Sequence, residues 1–132
     1  MKIQRTEVIN MFLHLCNDMN KIAYITEGEL KSVKKWATEH WEAPCKIVHS
    51  WTIGAWMLHN APCYGGWVIQ ECHNEGGGID NPWGQNRHPL KMFYLLISFA
   101  RQTLWLKKQE SRKDFENHIN HVLKDEASDE SN

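Results

Sequence analysis

Cysteine and histidine side chains lie at three short spacings that together offer ligands for a metal ion. They are Cys45-x3-His49, His59-x3-Cys63 and the adjacent pair Cys72-His73. An antiparallel hairpin would bring two thiolates and two imidazoles together, and zinc accepts that ligand set. Adjacent residues on a strand point to opposite faces, however, and the spacings differ from those of zinc fingers and ribbons. We therefore expect no metal ion and no cofactor.

A cysteine beside an imidazole can also act as a nucleophile, because a nearby imidazole lowers the pKa of a thiol. A Cys/His zinc or thiol enzyme is thus one alternative function. The sequence contains no P-loop, GxSxG, HExxH or dinucleotide-binding motif. A non-catalytic protein is the expectation that these observations favour.

A basic stripe suggests a second alternative, a nucleic-acid-binding module. Residues 91–113 hold six basic side chains and one acidic side chain, and four residues share one side of a predicted helix: Arg101, Trp105, Lys108 and Arg112. Such a stripe could follow a phosphate backbone. Residues 114–132 hold one basic and six acidic side chains, so they can neutralise the stripe within the chain. We expect nucleic-acid binding to be weak or absent.

The glycine-rich segment 74–89 offers candidate anchors for a protein partner, namely Ile79, Trp83 and Arg87. Trp and Arg are the residue types that dominate protein interfaces. Connections of this length are usually functional or disordered. Trp83 stands between Pro82 and Gly84, so that it either projects into solvent or folds down over the sheet. The first alternative makes this loop the binding surface.

The composition places the chain in the ordinary globular class. It has 132 residues, a formal net charge of −1 and 42% hydrophobic residues, enough for one domain with its own core. No apolar run approaches the roughly 20 residues that a membrane span needs. We expect a soluble, cytoplasmic protein with one domain over residues 1–124, followed by a disordered acidic tail over 125–132.

Helical periodicity occurs at both ends of the chain. A first helix is predicted from the stripe Val8, Met11, Phe12, Leu15, Met19 and Ile22. Thr26 and Glu29 form a capping box for a second helix, which Pro44 should end. Its buried stripe would be Leu30, Val33, Ala37 and Trp41. A central core helix should open at His88-Pro89, and a last helix should begin near Ser111 or Asp114.

The middle of the chain has the composition of strands joined by turns. It contains all four prolines and seven of the eight glycines. Alternation over Cys45 to Leu58 predicts one bent strand or two short ones, with Gly54 as the bend. Trp67 to Cys72 should return antiparallel to them. The expected fold is α+β, with helices on one face of a small antiparallel sheet in the order α-α-β-β(-β)-α-α.

One family resemblance runs through residues 60–105. The order Tyr64-Gly65-Gly66-Trp67, then Asn74-Glu75-Gly76-Gly77-Gly78, then an apolar helix from Leu90 resembles plasmid antirestriction proteins of the ArdB/KlcA type. The chain departs from that pattern by the inserted Glu75 and by the Pro82-Trp83-Gly84 loop. The resemblance implies a mobile-element protein that counters a host restriction or CRISPR-type defence by binding to it.

The leading hypothesis is therefore a non-catalytic protein-binding protein, an inhibitor of a host defence nuclease of the antirestriction or anti-CRISPR type. Its partner would be another protein, with a host defence complex as the target that the resemblance implies. The sequence leaves open whether the protein forms a homodimer, and no membrane partner is expected.

Overall fold

The computed structural model describes residues 2–37 and 41–104, together with 120, 121 and 124. Its principal elements are α1 (Arg5–Asp18), β1 (Ala23–Tyr24), α2 (Glu27–Ala37), β2 (Ile47–Val48), β3 (Trp56–Ala61), β4 (Gly66–Cys72), β5 (Ile79–Asp80) and α3 (Leu90–Phe99). A 3-10 turn over Pro62–Tyr64 joins β3 to β4, and a π-helical segment over Ala100–Leu104 continues α3. The predicted α+β class is confirmed.

The five strands form one sheet in the order β2-β1-β3-β4-β5. The β3–β4 hairpin is antiparallel, as the sequence predicted, and β5 is antiparallel to β4. The prediction of a purely antiparallel sheet was wrong, because β1 pairs in parallel with both β2 and β3. A strand of only two residues shows no alternation of apolar and polar side chains, so β1 was not predicted.

The segment from Cys45 to Leu58 forms two short strands, β2 and the start of β3. Between them, Gly54 has a φ of +88°, which favours glycine, at the predicted bend. Gly54 N–H donates to Cys72 C=O at 2.8 Å. The bend therefore lies against the end of β4.

The core lies between the helices and the face of the sheet that carries Trp56, Trp67 and Ile69. We call this the helix-covered face. The indole of Trp67 stacks on the ring of Phe93 in α3, with 6.2 Å between centroids. Among the described helices, α1 has the most buried residues. Its fully or almost fully buried side chains are Val8, Ile9, Phe12, Leu13, Leu15 and Cys16. The central role predicted for α3 is thus shared with α1.

The second helix is shorter than predicted. Thr26 Oγ1 accepts a hydrogen bond from Glu29 N–H at 3.1 Å, which confirms the predicted N-terminal start. The described helix runs to Ala37, and it does not reach Pro44, because the described residues 41–43 have no regular structure. Val33 is its one fully buried side chain. The other residues of the predicted stripe, Leu30 and Ala37 in the helix and Trp41 beyond it, are half-buried.

Residues 74–89 are attached to the sheet at both ends. Ile79 lies opposite Cys72 in the β4–β5 ladder. At the other end, His88 and Trp67 exchange two backbone hydrogen bonds of 2.8 and 3.0 Å. Pro89 is the N-cap of α3, and the first helical residue is Leu90. Ser111 and Asp114, the predicted start of the last helix, and the predicted tail lie outside the described residues.

Candidate interaction surface

Trp83 lies in the core, so the alternative in which it folds down over the sheet is the observed one. Only 7% of its surface is exposed. Its ring meets that of Trp56 edge to face, with centroids 5.8 Å apart and planes at 89°. Trp83, which belongs to the segment 81–87, therefore packs against the sheet and stabilises it. It is not an accessible anchor for a partner.

Arg87 also acts within the fold. Its guanidinium donates to the carbonyl oxygens of Gly66 at 3.1 Å and of His59 at 3.4 Å. These bonds hold residue 87 against the turn end of the β3–β4 hairpin. Gly66 fits this close approach because it has no side chain: a Cβ there would lie 2.4 Å from His88 O. One of the guanidinium nitrogens, Nη1, is thus engaged with backbone carbonyls of the hairpin.

Ile79 is exposed, as a partner-binding residue must be. It shows 45% of its surface, and Ile53, in the turn before β3, shows 55%. Both residues lie at the Cys72 end of β4. Cys72 pairs with Ile79 on one side and donates from its N–H to Ala55 C=O on the other, at 2.9 Å. We call Trp51, Ile53 and Ile79 the apolar end of the sheet.

Hydrogen bonds fix the backbone of the apolar end. Trp51 Nε1 donates to Asn74 C=O at 2.6 Å, which joins the two turns. Asn74 Oδ1 accepts from Gly78 N–H at 3.0 Å, and His73 N–H donates to Gly78 C=O at 2.8 Å. A surface held in this way has little conformational entropy to lose on binding. Ile79 was one of the candidate anchors suggested by the sequence. Ile53 was not, although its position directly before the turn residue Gly54 could have indicated it.

The basic stripe cannot be assembled from the described residues. Arg101 Nε donates to Asp18 Oδ2 at 2.6 Å, and the pair ties the segment after α3 to the end of α1. Arg101 is therefore engaged inside the protein. Trp105, Lys108 and Arg112 lie outside the described residues.

Two of the cysteines considered as metal ligands lie at opposite ends of β4. Cys63 is exposed in the 3-10 turn, whereas Cys72 is buried at the opposite end of β4. His49 Nδ1 lies 2.8 Å from the Ile25 carbonyl oxygen, to which it can donate a hydrogen bond. Among the described residues, no group of three or more His, Cys, Asp or Glu side chains is arranged to hold a metal ion.

Among the described histidines, two have a perturbed pKa. Burial lowers the pKa of His88, because the charged imidazolium would lose its hydration there. Burial also lowers the pKa of His14, and the positive charge of Arg101 adds to that effect. Asp18 opposes it. Both imidazoles therefore favour their neutral forms in the folded protein.

Comparison with known proteins gives no relative for this surface. No protein-family model, no curated protein and no solved structure matches the chain. No helix in the described ranges is long and apolar enough to cross a membrane.

Proposed function

We propose that the protein acts by binding another protein, without catalysis, through the apolar end of the sheet. The observation that carries this proposal is the exposure of Ile53 and Ile79 at one end of the same hairpin. Ile53 precedes β3 and Ile79 begins β5, and these two strands are two strand spacings apart, about 10 Å. Apolar side chains on a fixed backbone suit a protein partner, because burial removes them from water at little entropic cost.

The partner that we propose is a host defence nuclease or a complex containing one. Support comes from the resemblance of residues 60–105 to antirestriction proteins of the ArdB/KlcA type. The aromatic-Gly-Gly-Trp part of that pattern begins β4, and its Asn-Gly-Gly part forms the turn that Asn74 holds together. The pattern therefore includes the backbone beneath the apolar end.

Phage plating tests both parts of the proposal. The chain is expressed in bacteria that carry a restriction system and, separately, in bacteria that carry a CRISPR system. We expect it to raise the plating of unprotected phage in at least one host. The double variant Ile53→Ser with Ile79→Ser should lose the effect while it keeps the far-ultraviolet circular dichroism of the parent.

Tyr64→Ser is the matched control, because Tyr64 is 79% exposed at the opposite end of the same hairpin. It should protect phage as the parent does. If the double variant also protects, the apolar end is not the binding surface. If the parent protects in neither host, the counter-defence target is wrong.

A further inference from the structure

The solvent side of α2 carries three lysines. Lys31, Lys34 and Lys35 are exposed, whereas the other side of the helix is packed through Val33, which is fully buried. Residues three and four apart are neighbours on a helix, so the three lysines share one side of α2. In the part of the chain that the structure describes, no carboxylate pairs with any of them. We call these three residues the lysine cluster.

The acidic residues of α2 offset this charge only in part. Both of them, Glu27 and Glu29, lie in its first turn. Arg5 Nη2 in α1 donates to Glu29 Oε1 at 2.5 Å, so a guanidinium already balances the charge of that carboxylate. The solvent side of the helix is therefore positive. Its charge is complementary to an anionic partner.

An exposed indole adjoins the lysine cluster. Trp36 follows Lys35 directly and shows 43% of its surface, whereas the three core tryptophans, Trp56, Trp67 and Trp83, each show 7% or less. Proteins that hold single-stranded nucleic acids combine positive charges, which attract the phosphates, with aromatic rings, on which the bases stack. The end of α2 presents both features side by side.

A groove between α1 and α2 opens on the same side of α2 as Trp36. Its volume is about 370 Å³, and α2 lines it with Gly28, Glu29 and Ser32. Ser32 lies one helical turn before Trp36, so the groove and the indole share a side of the helix. From α1, Thr6 contributes a hydroxyl oxygen that is buried and is hydrogen-bonded to no group in the described ranges. This hydroxyl is available to a hydrogen-bonding ligand.

We propose that the lysine cluster, Trp36 and this groove bind single-stranded nucleic acid. The ammonium groups attract phosphates, and one base stacks on the indole. A duplex fits less well, because its bases are already stacked on each other. Phosphate contacts and stacking do not depend on base identity, so the site tolerates changes of sequence. It shares no residue with the apolar end or with the basic stripe, and this inference is therefore independent of the proposed function.

Fluorescence anisotropy tests the proposal with the full-length protein and a labelled oligothymidine strand of about 20 nucleotides, longer than a typical single-strand site. Each phosphate neutralised on a single strand contributes about −0.7 to the slope of log affinity against log salt concentration. Three lysines therefore predict a slope near −2, and raising the salt from about 50 to about 200 mM should weaken binding about 20-fold. A duplex of the same length should bind at least about fivefold more weakly, because it offers no base to the indole.

The two parts of the site should give separable effects. Lys31→Gln with Lys35→Gln should reduce the salt slope to about −0.7, because one of the three lysines remains. Trp36→Leu should weaken binding about tenfold and leave the salt slope unchanged, since stacking of a base releases no counterions.

Matched control residues lie elsewhere on the surface. Lys46 is an exposed lysine near the other end of α1, and Tyr64 is an aromatic residue that is 79% exposed in the 3-10 turn. Lys46→Gln and Tyr64→Leu should bind the strand as the parent does.

Three results would overturn the proposal: no binding of the strand by the parent in about 50 mM salt, equal binding of the duplex, or equal losses in the α2 variants and the controls. Vesicles that contain phosphatidylserine serve as a further probe. Binding to these vesicles without binding to the strand would make the solvent side of α2 a membrane-contacting surface instead.

Discussion

The two faces of β4 differ in what lies against them, although both are buried. Trp67 and Ile69 belong to the core that α1 and α3 complete. Val68 and Gln70 point to the other side and lie outside that core, yet they are also buried. Their cross-strand partners there, His59 and Met57, are exposed and half-buried, respectively. Burial along a strand therefore does not identify the face that helices cover.

This difference also separates structural residues from candidate binding residues. The helix-covered face takes up Trp83, which composition had made a candidate anchor. The residues that reach solvent at the Cys72 end, Ile53 and Ile79, belong to turns and to an edge strand. If the comparison is correct, substitutions on the helix-covered face should cost stability, and substitutions at the apolar end should leave stability unchanged.

The largest effect should come from Trp83→Ala. Removing a buried indole that packs against Trp56 is expected to lower the free energy of unfolding by roughly 3 to 5 kcal/mol. Chemical denaturation measures it. Ile79→Ala at the apolar end is the control and should change the free energy by no more than about 0.5 kcal/mol. Similar losses in both variants would remove the distinction between the two regions.

The next effect concerns the backbone at the start of β4. Gly66 has a φ of +116°, and a Cβ there would meet the His88 carbonyl. We expect Gly66→Ala to lower the free energy of unfolding by about 2 to 3 kcal/mol, because a strained residue costs roughly 1 to 3 kcal/mol before any clash.

Gly28→Ala is the matched control for that measurement. Gly28 lies within α2, and a Cβ there would have no neighbour within 4 Å. Alanine is favoured over glycine by roughly 0.5 to 1 kcal/mol in the middle of a helix and by less at its second residue, so this variant should be at least as stable as the parent. A Gly66→Ala protein as stable as the parent would contradict the close approach of β4 and residue 88.

An ion pair on the helix side should contribute less. Asp18→Asn removes the charge that Arg101 contacts, and we expect a loss of about 1 to 2 kcal/mol, since both side chains are largely shielded from water. The Arg5–Glu29 pair, in which Arg5 is mostly exposed, is the comparison. Glu29→Gln should cost no more than about 0.5 kcal/mol. Equal losses at the two pairs would contradict the assigned difference in burial.

The sequence predicted the elements whose patterns are long. The stripe through Val8, Phe12 and Leu15 located α1, and the β3–β4 hairpin followed from alternation and a glycine pair. The sequence did not predict β1, because two residues are too few to show a periodic pattern. Their parallel pairing also depends on the chain returning to the sheet after α2. The end of α2 was misplaced for a related reason: the proline marked a limit that the helix does not reach.

The candidate site was predicted less well than the fold. Ile79 was identified from its place in a long connection, but Trp83 and Arg87 were selected by residue type alone. Residue type does not show whether an indole meets another ring or whether a guanidinium meets backbone carbonyls. Ile53 was not among the candidate residues, because its neighbour across the end of β4 is far away in the sequence. Contacts of this kind depend on register, which the pairing of Cys72 with Ile79 determines.

The smallest effect should appear in the dependence of stability on pH. Burial keeps the pKa of His88 below its ordinary value of 6.5 in the folded protein, so the unfolded chain binds the proton more readily. The free energy of unfolding should therefore decrease as the pH falls below about 6.5, until the folded-state pKa is passed. His88→Asn should reduce this slope without abolishing it, because the pKa of His14 is lowered as well. Denaturation at several pH values between about 7 and 5 measures the slope. An unchanged slope in His88→Asn would mean that the His88 imidazole is not shielded from water beside Trp67. Residues 81–88 would then pack against β4 less tightly than the two backbone hydrogen bonds between His88 and Trp67 indicate.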